Sequence, residues 1–197
     1  MTLFSCPELE VIEDFYDEAE SERIYRQFLQ EHHWPDNRYC VGGRQFTLPR
    51  LQTWHADPGI VYSYSNNLLQ SRPWTPLLST IKFKVEALLD FGFNAVLVNL
   101  YRNGDDHVGW HADNEPELGK HPVIASLSFG AERRFAFRRK NSPEHGYVPL
   151  GSGTLLLMRS GFQSHWLHSI PRDKSVVSGR INLTFRKVLA APGPNIF

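Results

Sequence analysis

Arg180-Ile181-Asn182-Leu183-Thr184-Phe185-Arg186 alternates polar and apolar side chains at every step. Successive side chains of an extended chain point to opposite faces, so this stretch reads as a strand. Arg180, Asn182, Thr184 and Arg186 share one face, and Ile181, Leu183 and Phe185 share the other. Two placements satisfy that pattern. The polar row can be a solvated outer face backed by core, a common arrangement in antiparallel sheets. Alternatively it lines the inside of a barrel, where guanidinium groups bind a carboxylate through paired planar hydrogen bonds. Ala95-Val-Leu97-Val-Asn99-Leu-Tyr101 repeats the design, with Asn99 and Tyr101 on one face.

Outward from that strand, the chain from Asn94 onward is a series of short β-like runs: 94–101, 107–113, 123–129, 133–139, 154–158, 165–170 and 180–188. Turn signals separate them, namely Asn103-Gly104-Asp105, Gly130-Ala131, Asn141-Ser142-Pro143 and Gly151-Ser152-Gly153. Many short strands at even spacing predict a mainly β protein with flanking helices, a double-sheet jelly roll rather than a βαβ fold. Two helices precede the strands and are expected to brace one sheet from outside. Residues 17–31 form the first, with Ile24, Phe28 and Leu29 on one side. The second starts with Thr75 as N-cap and Pro76 in its first turn. Leu77, Leu78, Ile81, Val85, Leu88 and Leu89 form its apolar stripe, and Gly92 its stop. Between the helices, 39–64 is rich in aromatics and glycine and suggests short strands and loops.

The 197 residues suit one domain with a sizeable core. We expect 1–92 to carry the N-terminal helices and a recognition region, and 93–190 a jelly-roll core. Hydrophobic residues at 41% and charged residues at 21% exclude a disordered chain. Acidic and basic residues balance at 21 each, so contact with a polyanion must come from a local patch. Cys6 and Cys40 permit one disulfide but do not require it, and reduced thiols are expected. No apolar run is long enough to span a bilayer, and the first residues lack the pattern of a signal peptide. A cytoplasmic location is the expectation, or a nuclear one in a eukaryote.

His111 and Asp113 stand two apart and share a face in extended chain, with Glu115 next in the row. Together with the distant His168 they supply two imidazoles and one carboxylate, a set that holds one face of a ferrous ion and leaves the opposite positions open. Taken singly, His-x-Asp is a surface turn and His168 a structural histidine. The polar strand face beside them favours the metal reading.

Asn99-Leu-Tyr101-Arg-Asn, Trp110-His111-Ala-Asp113-Asn-Glu115-Pro-Glu-Leu-Gly, Ile124-Ala-Ser-Leu-Ser-Phe-Gly130-Ala, Trp166-Leu-His168-Ser-Ile-Pro and Arg180-Ile-Asn-Leu-Thr-Phe-Arg186 occur in that order. In this the chain resembles the AlkB family of iron(II)- and 2-oxoglutarate-dependent dioxygenases, over about 50–188, and its DNA-repair branch most. The resemblance implies a double-stranded β-helix, with His111, Asp113 and His168 as iron ligands. It implies Arg180 at the distal carboxylate of 2-oxoglutarate, Arg186 nearer the metal, and Asn99, Tyr101, Asn182 and Thr184 completing the cradle. It implies O2 as co-substrate, with ascorbate as a support to activity.

The implied activity is oxidative demethylation of N1-methyladenine and N3-methylcytosine in DNA, with RNA a second substrate, releasing formaldehyde, succinate and CO2. The base must leave the stack or arrive single-stranded. Tyr64 aligns with the family's stacking aromatic and Tyr62 with a polar contact beside it, with Ser65 adjoining. Glu115 would favour a cationic methylated base, and Arg50 matches a position next to the pocket. Arg44 and the Arg138-Arg139-Lys140 cluster are further candidates for phosphate contact. Two departures favour single-stranded DNA over duplex: glycines near Val41-Gly42-Gly43, where duplex-preferring relatives carry a bulky wedge, and a short mixed loop at Asn141-Ser-Pro-Glu-His145. A monomer without membrane contact is expected. Two alternatives stay open: a hydroxylase or demethylase of a protein or small molecule on the same centre, and a non-catalytic module that binds alkylated bases.

Overall fold

The computed structural model describes residues 6–189 except 37, 42, 61, 62, 65, 66, 69 and 70, and only the backbone of 39–41, 46, 63, 64, 67 and 68. In chain order the elements are β1 (Leu9–Ile12), α1 (Glu18–Glu31), β2 (Arg38–Val41), β3 (Arg44–Thr47), β4 (Leu51–Ala56), β5 (Ser63–Tyr64), β6 (Asn67–Leu68), β7 (Ser71–Arg72) and α2 (Pro76–Leu89). Then follow β8 (Ala95–Tyr101), β9 (Val108–His111), β10 (Ile124–Gly130), β11 (Arg133–Arg139), β12 (His145–Leu150), β13 (Leu155–Met158), α3 (Phe162–His165), β14 (Trp166–Ile170) and β15 (Arg180–Arg186).

Two sheets make the jelly roll. The larger runs β1-β13-β10-β15-β8-β4-β7 and the smaller β12-β11-β14-β9, while β2-β3 and β5-β6 form separate pairs. β15 sits near the middle of the larger sheet, antiparallel to β8 and β10, and all seven of its residues are buried. Ile181, Leu183 and Phe185 pack with Val96, Val98 and the helix residues Ile24, Phe28, Leu78, Ile81 and Val85. The helices therefore cover the outer side of this sheet. A second cluster joins the inner side to the smaller sheet through Ile124, Leu156 and Met158 against Phe135, Phe137, Trp166 and Ile170.

The helix ends follow local chemistry. Asp17 caps α1 by accepting the Glu20 amide at 2.8 Å, and Thr75 caps α2 by accepting the Leu78 amide at 3.2 Å. α2 stops earlier than Gly92: Asp90 takes the left-handed conformation at φ 48°, ψ 42°, which its short polar side chain tolerates. Leu29 and Leu88, assigned to the apolar stripes, are 44% and 51% exposed. Each helix presses only a narrow stripe on the sheet. Four strands escape the periodicity argument: β1, the two-residue β6 and β7, and β12. The larger sheet also draws β1, β4 and β7 from before residue 93, so that boundary does not divide the sheet. Among the described residues no helix is long and apolar enough to cross a membrane. Cys6 is a free, buried thiol, whereas the side chain of Cys40 lies outside the described residues.

A chain of buried polar groups ties the end of α1 to β4 and to the segment before α2. His55 Nδ1 lies 2.7 Å from the Pro73 carbonyl, which can only accept, so Nδ1 carries the proton. His55 Nε2 then accepts from the Thr53 hydroxyl at 3.3 Å, and that hydroxyl accepts from His32 Nε2 at 2.7 Å. Both rings are neutral in this arrangement. Burial pushes His32 down to about 4, with His55, Arg72 and His33 adding to the effect, and burial also lowers His55.

Below the ordinary value of 6.5 the unfolded imidazole takes up a proton that the folded one refuses, so stability is lost as pH falls from there toward about 4. We expect the urea midpoint to decline across that window and His32→Gln to flatten the decline. Equal slopes in the two proteins would contradict this. On α1, Ile24→Ala should cost about 2–5 kcal/mol in urea unfolding and Leu29→Ala about 0.5 or less.

Candidate active site

The register of β15 against its neighbours builds the pocket. Arg180 lies opposite Tyr101, Asn182 opposite Asn99 and Thr184 opposite Leu97, while Ser128 and Ser126 of β10 face Asn182 and Thr184. The inward row is deeply buried, with Arg180, Asn182, Thr184 and Arg186 at 1%, 6%, 7% and 2% exposure. That observation decides between the two placements of the strand: the polar face is inside. The resulting pocket is open to solvent on one side and encloses a cavity of about 40 Å³.

His111 ends β9, His168 lies on the neighbouring β14, and the two are directly paired. Their ring centroids are 4.2 Å apart. Asp113 follows two residues beyond β9, and its Oδ1 is 3.7 Å from His111 Nε2. One donor atom from each of the three lies within 4.8 Å of the others. His111 Nδ1 donates to the Gly109 carbonyl at 2.8 Å, which leaves the Nε2 lone pair for a metal. Asp113 is 1% exposed, and its Oδ2 accepts from Arg186 Nη2 at 2.8 Å. Its Oδ1 is buried without a hydrogen-bond partner.

Burial alone would raise the Asp113 carboxyl, but Arg186, His111 and His168 outweigh it and hold it at about 2. Burial, helped by His111, pushes His168 down to about 3. The set is thus a carboxylate with one unmet oxygen beside a neutral imidazole, as a divalent metal requires.

Arg180 is the second unmet group. Its Nη2 donates to Ser128 Oγ at 2.9 Å, and its guanidinium lies 5.2 Å from the Tyr101 ring centroid. Nε and Nη1 are buried with no hydrogen-bond partner of normal geometry. Burial pulls its pKa down to about 10, with Tyr101 opposing. A buried cation with two open donors calls for an anion, and a carboxylate fits the fork. Asn182 and Thr184 line the pocket with committed polar atoms: Asn182 Nδ2 donates to Ser126 Oγ and the Leu127 carbonyl, and Thr184 Oγ1 donates to Asn182 Oδ1. Asn99 Oδ1 accepts from Arg50 Nε at 2.9 Å.

The expected substrate residues divide. Arg50 is 5% exposed and part of the pocket wall, so it does not meet a phosphate backbone at the surface. Its partners Asn99 and the His107 carbonyl hold it inside. Glu115 is half-buried at the start of the short turn Pro116–Leu118 and is not part of the pocket lining. Tyr62 and Ser65 lie outside the described residues, as does Gly42; Tyr64 is on β5 and Val41 on β2, their side chains outside the description. Arg44 is exposed on β3. The Arg138-Arg139-Lys140 cluster is not one patch: Arg139 pairs with Glu144, and Lys140 donates to the Gln163 carbonyl.

Other residues come to the site unannounced. Gln163, 1% exposed, accepts the Asp113 amide at 2.9 Å and donates to Met158 Sδ at 3.2 Å. Phe135 stacks on His168 with centroids 5.1 Å apart. The alternation of Ser126 and Ser128 in β10 was a readable signal, whereas Gln163 carried none.

The description "2OG-Fe(II) oxygenase superfamily" fits residues 8–186. Human alpha-ketoglutarate-dependent dioxygenase alkB homolog 3 is 38% identical over 188 residues, 90% of this chain and 65% of that protein. Human DNA oxidative demethylase ALKBH2 is 38% identical over 185 residues, covering 88% and 71%. The chain belongs to the AlkB family of that superfamily. It spans 65% of the length of human alkB homolog 3. The Arabidopsis thaliana DNA oxidative demethylase ALKBH2 is 33% identical, with 82% and 60% covered. The solved structure of OsALKBH1 has the same fold, at TM-score 0.65 and 18% identity, covering 93% of this chain and 98% of that one. Fe(II) and 2-oxoglutarate are the cofactors of this superfamily, and the donor set and the unpaired Arg180 fit them.

Gln163 fixes the peptide that carries Asp113, so Gln163→Leu should weaken Mn(II) affinity about tenfold in calorimetric titration. Unchanged affinity would show that the amide bond does not orient the ligand.

Proposed function

We propose that this chain is an Fe(II)/2-oxoglutarate-dependent oxidative demethylase of N1-methyladenine and N3-methylcytosine in DNA, with RNA as a second substrate. The observation that carries the reading is the buried, counterion-free Arg180 beside the His111, Asp113 and His168 set. The names of the relatives, among them DNA oxidative demethylase, support the substrate. His111, Asp113 and His168 hold the iron. Arg180 takes the distal carboxylate of 2-oxoglutarate, with Tyr101, Asn99, Asn182 and Thr184 shaping its cradle. Bound there, the two cofactors supply with O2 the oxidising chemistry that hydroxylates a methyl group, which leaves as formaldehyde while succinate and CO2 are released.

The chain's own part is placement. Arg186 holds Asp113 in one rotamer through the 2.8 Å contact, and Gly109 holds His111 in one tautomer. Leu97, Val108, Phe135, Met158 and Ile170 line the remaining wall and keep water away from the reacting centre. In the family this chain belongs to, the positions of Tyr62, Tyr64 and Ser65 receive the substrate base, and that role is carried over to them here together with the charge preference assigned to Glu115. Arg50 acts from within the wall. The preferred substrate is single-stranded, since an unpaired base needs no extrusion from a helix. The protein works as a monomer in the cytoplasm, or in the nucleus if eukaryotic.

The test is formaldehyde release with Fe(II), 2-oxoglutarate and ascorbate. A single strand carrying N1-methyladenine should support turnover, and matched duplex should support less. Unmodified strand and peptide should give none. Turnover on peptide but not on methylated strand would overturn the substrate. Arg180→Ala should raise the KM for 2-oxoglutarate roughly a hundredfold, as expected for removing one partner of a buried charged pair. An unchanged KM would remove the cradle.

A further inference from the structure

The outer face of the smaller sheet carries a pattern that the pocket does not use. On β11, Phe135 and Phe137 are buried, so Arg134, Ala136 and Arg138 face outward. Tyr147 of β12 is paired opposite Ala136 and shares that face. Trp110 precedes His111 on β9 and points the opposite way, also outward. Trp110 and Tyr147 are the only exposed tryptophan and tyrosine among the described residues, at 44% and 42%. The Arg138 guanidinium lies 4.6 Å from the Trp110 ring centroid and that of Arg134 lies 5.2 Å from Tyr147. Among the described residues neither guanidinium is ion-paired, in contrast to Arg139 with Glu144.

This face adjoins the mouth of the pocket. The His111 side chain is 25% exposed and that of Asp113 only 2%, while His168 is 5% exposed as a residue. The pocket therefore opens beside β9, the edge strand of the smaller sheet, and Trp110 is the next residue along it.

We propose that this face is a track for the single strand that flanks the base in the pocket. The rings stack unpaired bases, and Arg134 and Arg138 meet the phosphates between them. From β9 to β12 is three strand spacings, roughly 14 Å, which seats a short run of nucleotides. A duplex cannot use the track, because its bases already stack on one another and show no open face. The balanced charge of the chain gives no long-range attraction, so a local arginine pair is what a polyanion has to find. The proposal rests on the nucleic-acid reading above and adds where the rest of the strand goes.

The test compares wild type with Trp110→Ala/Tyr147→Ala and with Arg134→Glu/Arg138→Glu. Binding of a labelled 15-nucleotide single strand is read by fluorescence anisotropy across a salt series. Formaldehyde release is read on a methylated trinucleotide too short to reach the track. We expect the aromatic variant to bind the 15-mer about tenfold more weakly. The arginine variant should lose about 1.4 from the slope of log affinity against log salt, the share of two phosphates on a single strand. Both should keep trinucleotide turnover, which shows that they are folded. Full affinity and slope in both variants, with wild type active on nucleic acid, would overturn the track and leave the demethylase reading standing. Wild type that neither binds nor turns over any strand would overturn both. A dimer in light scattering that the variants dissolve would assign the face to a second copy of the chain and overturn the track.

Discussion

Four polar side chains, two of them cations, lie on the inner face of a strand buried on both sides. This constraint governs the rest of the molecule. Polar side chains removed from water need hydrogen-bond partners, and the neighbours of β15 supply some: on β10 Ser128 accepts from Arg180 and Ser126 from Asn182, while on β8 the Tyr101 ring faces the Arg180 guanidinium. A register slip of one residue would turn Arg180 and Arg186 toward the helices and Ile181, Leu183 and Phe185 into the pocket. The apolar face of the same strand requires α1 and α2 as a cover. Sheet, helices and pocket follow from one burial pattern.

The contact between Arg186 and Asp113 connects that strand to the opposing sheet. It sets the charge of the metal side and the position of the carboxylate together, since Asp113 stays ionised only because Arg186 and the imidazoles outweigh its burial. Three arginines and one carboxylate line the pocket, so its protein charge is positive. A dicarboxylate and a divalent metal complete it from opposite ends: the first neutralises Arg180, and the second takes up the unmet oxygen of Asp113.

The smaller sheet repeats this division of labour across its thickness. β9 presents His111 inward and Trp110 outward, and β11 presents Phe135 against His168 inward and Arg134 and Arg138 outward. One sheet thus separates a dry reactive interior from an exterior of cations resting on aromatic rings.

Much of this was legible in the residues themselves. The alternation in 180–186 and 95–101 marked strands, Asp17 and Thr75 marked helix starts, and His111, Asp113 and His168 stood out as a donor set. Local sequence carries such information because strand period, capping and ligand chemistry are local properties. Which face of β15 is buried was not legible, since a period of two assigns sides without saying which one meets water. The capture of Arg50 by Asn99, the support of Asp113 by Gln163 and the exposure of Leu29 and Leu88 all depend on residues brought together from distant parts of the chain. The sequence by itself determined the elements and the chemistry they carry. Only the packing of two sheets against two helices decided which polar groups lost their water, and with it which of them had to find a ligand.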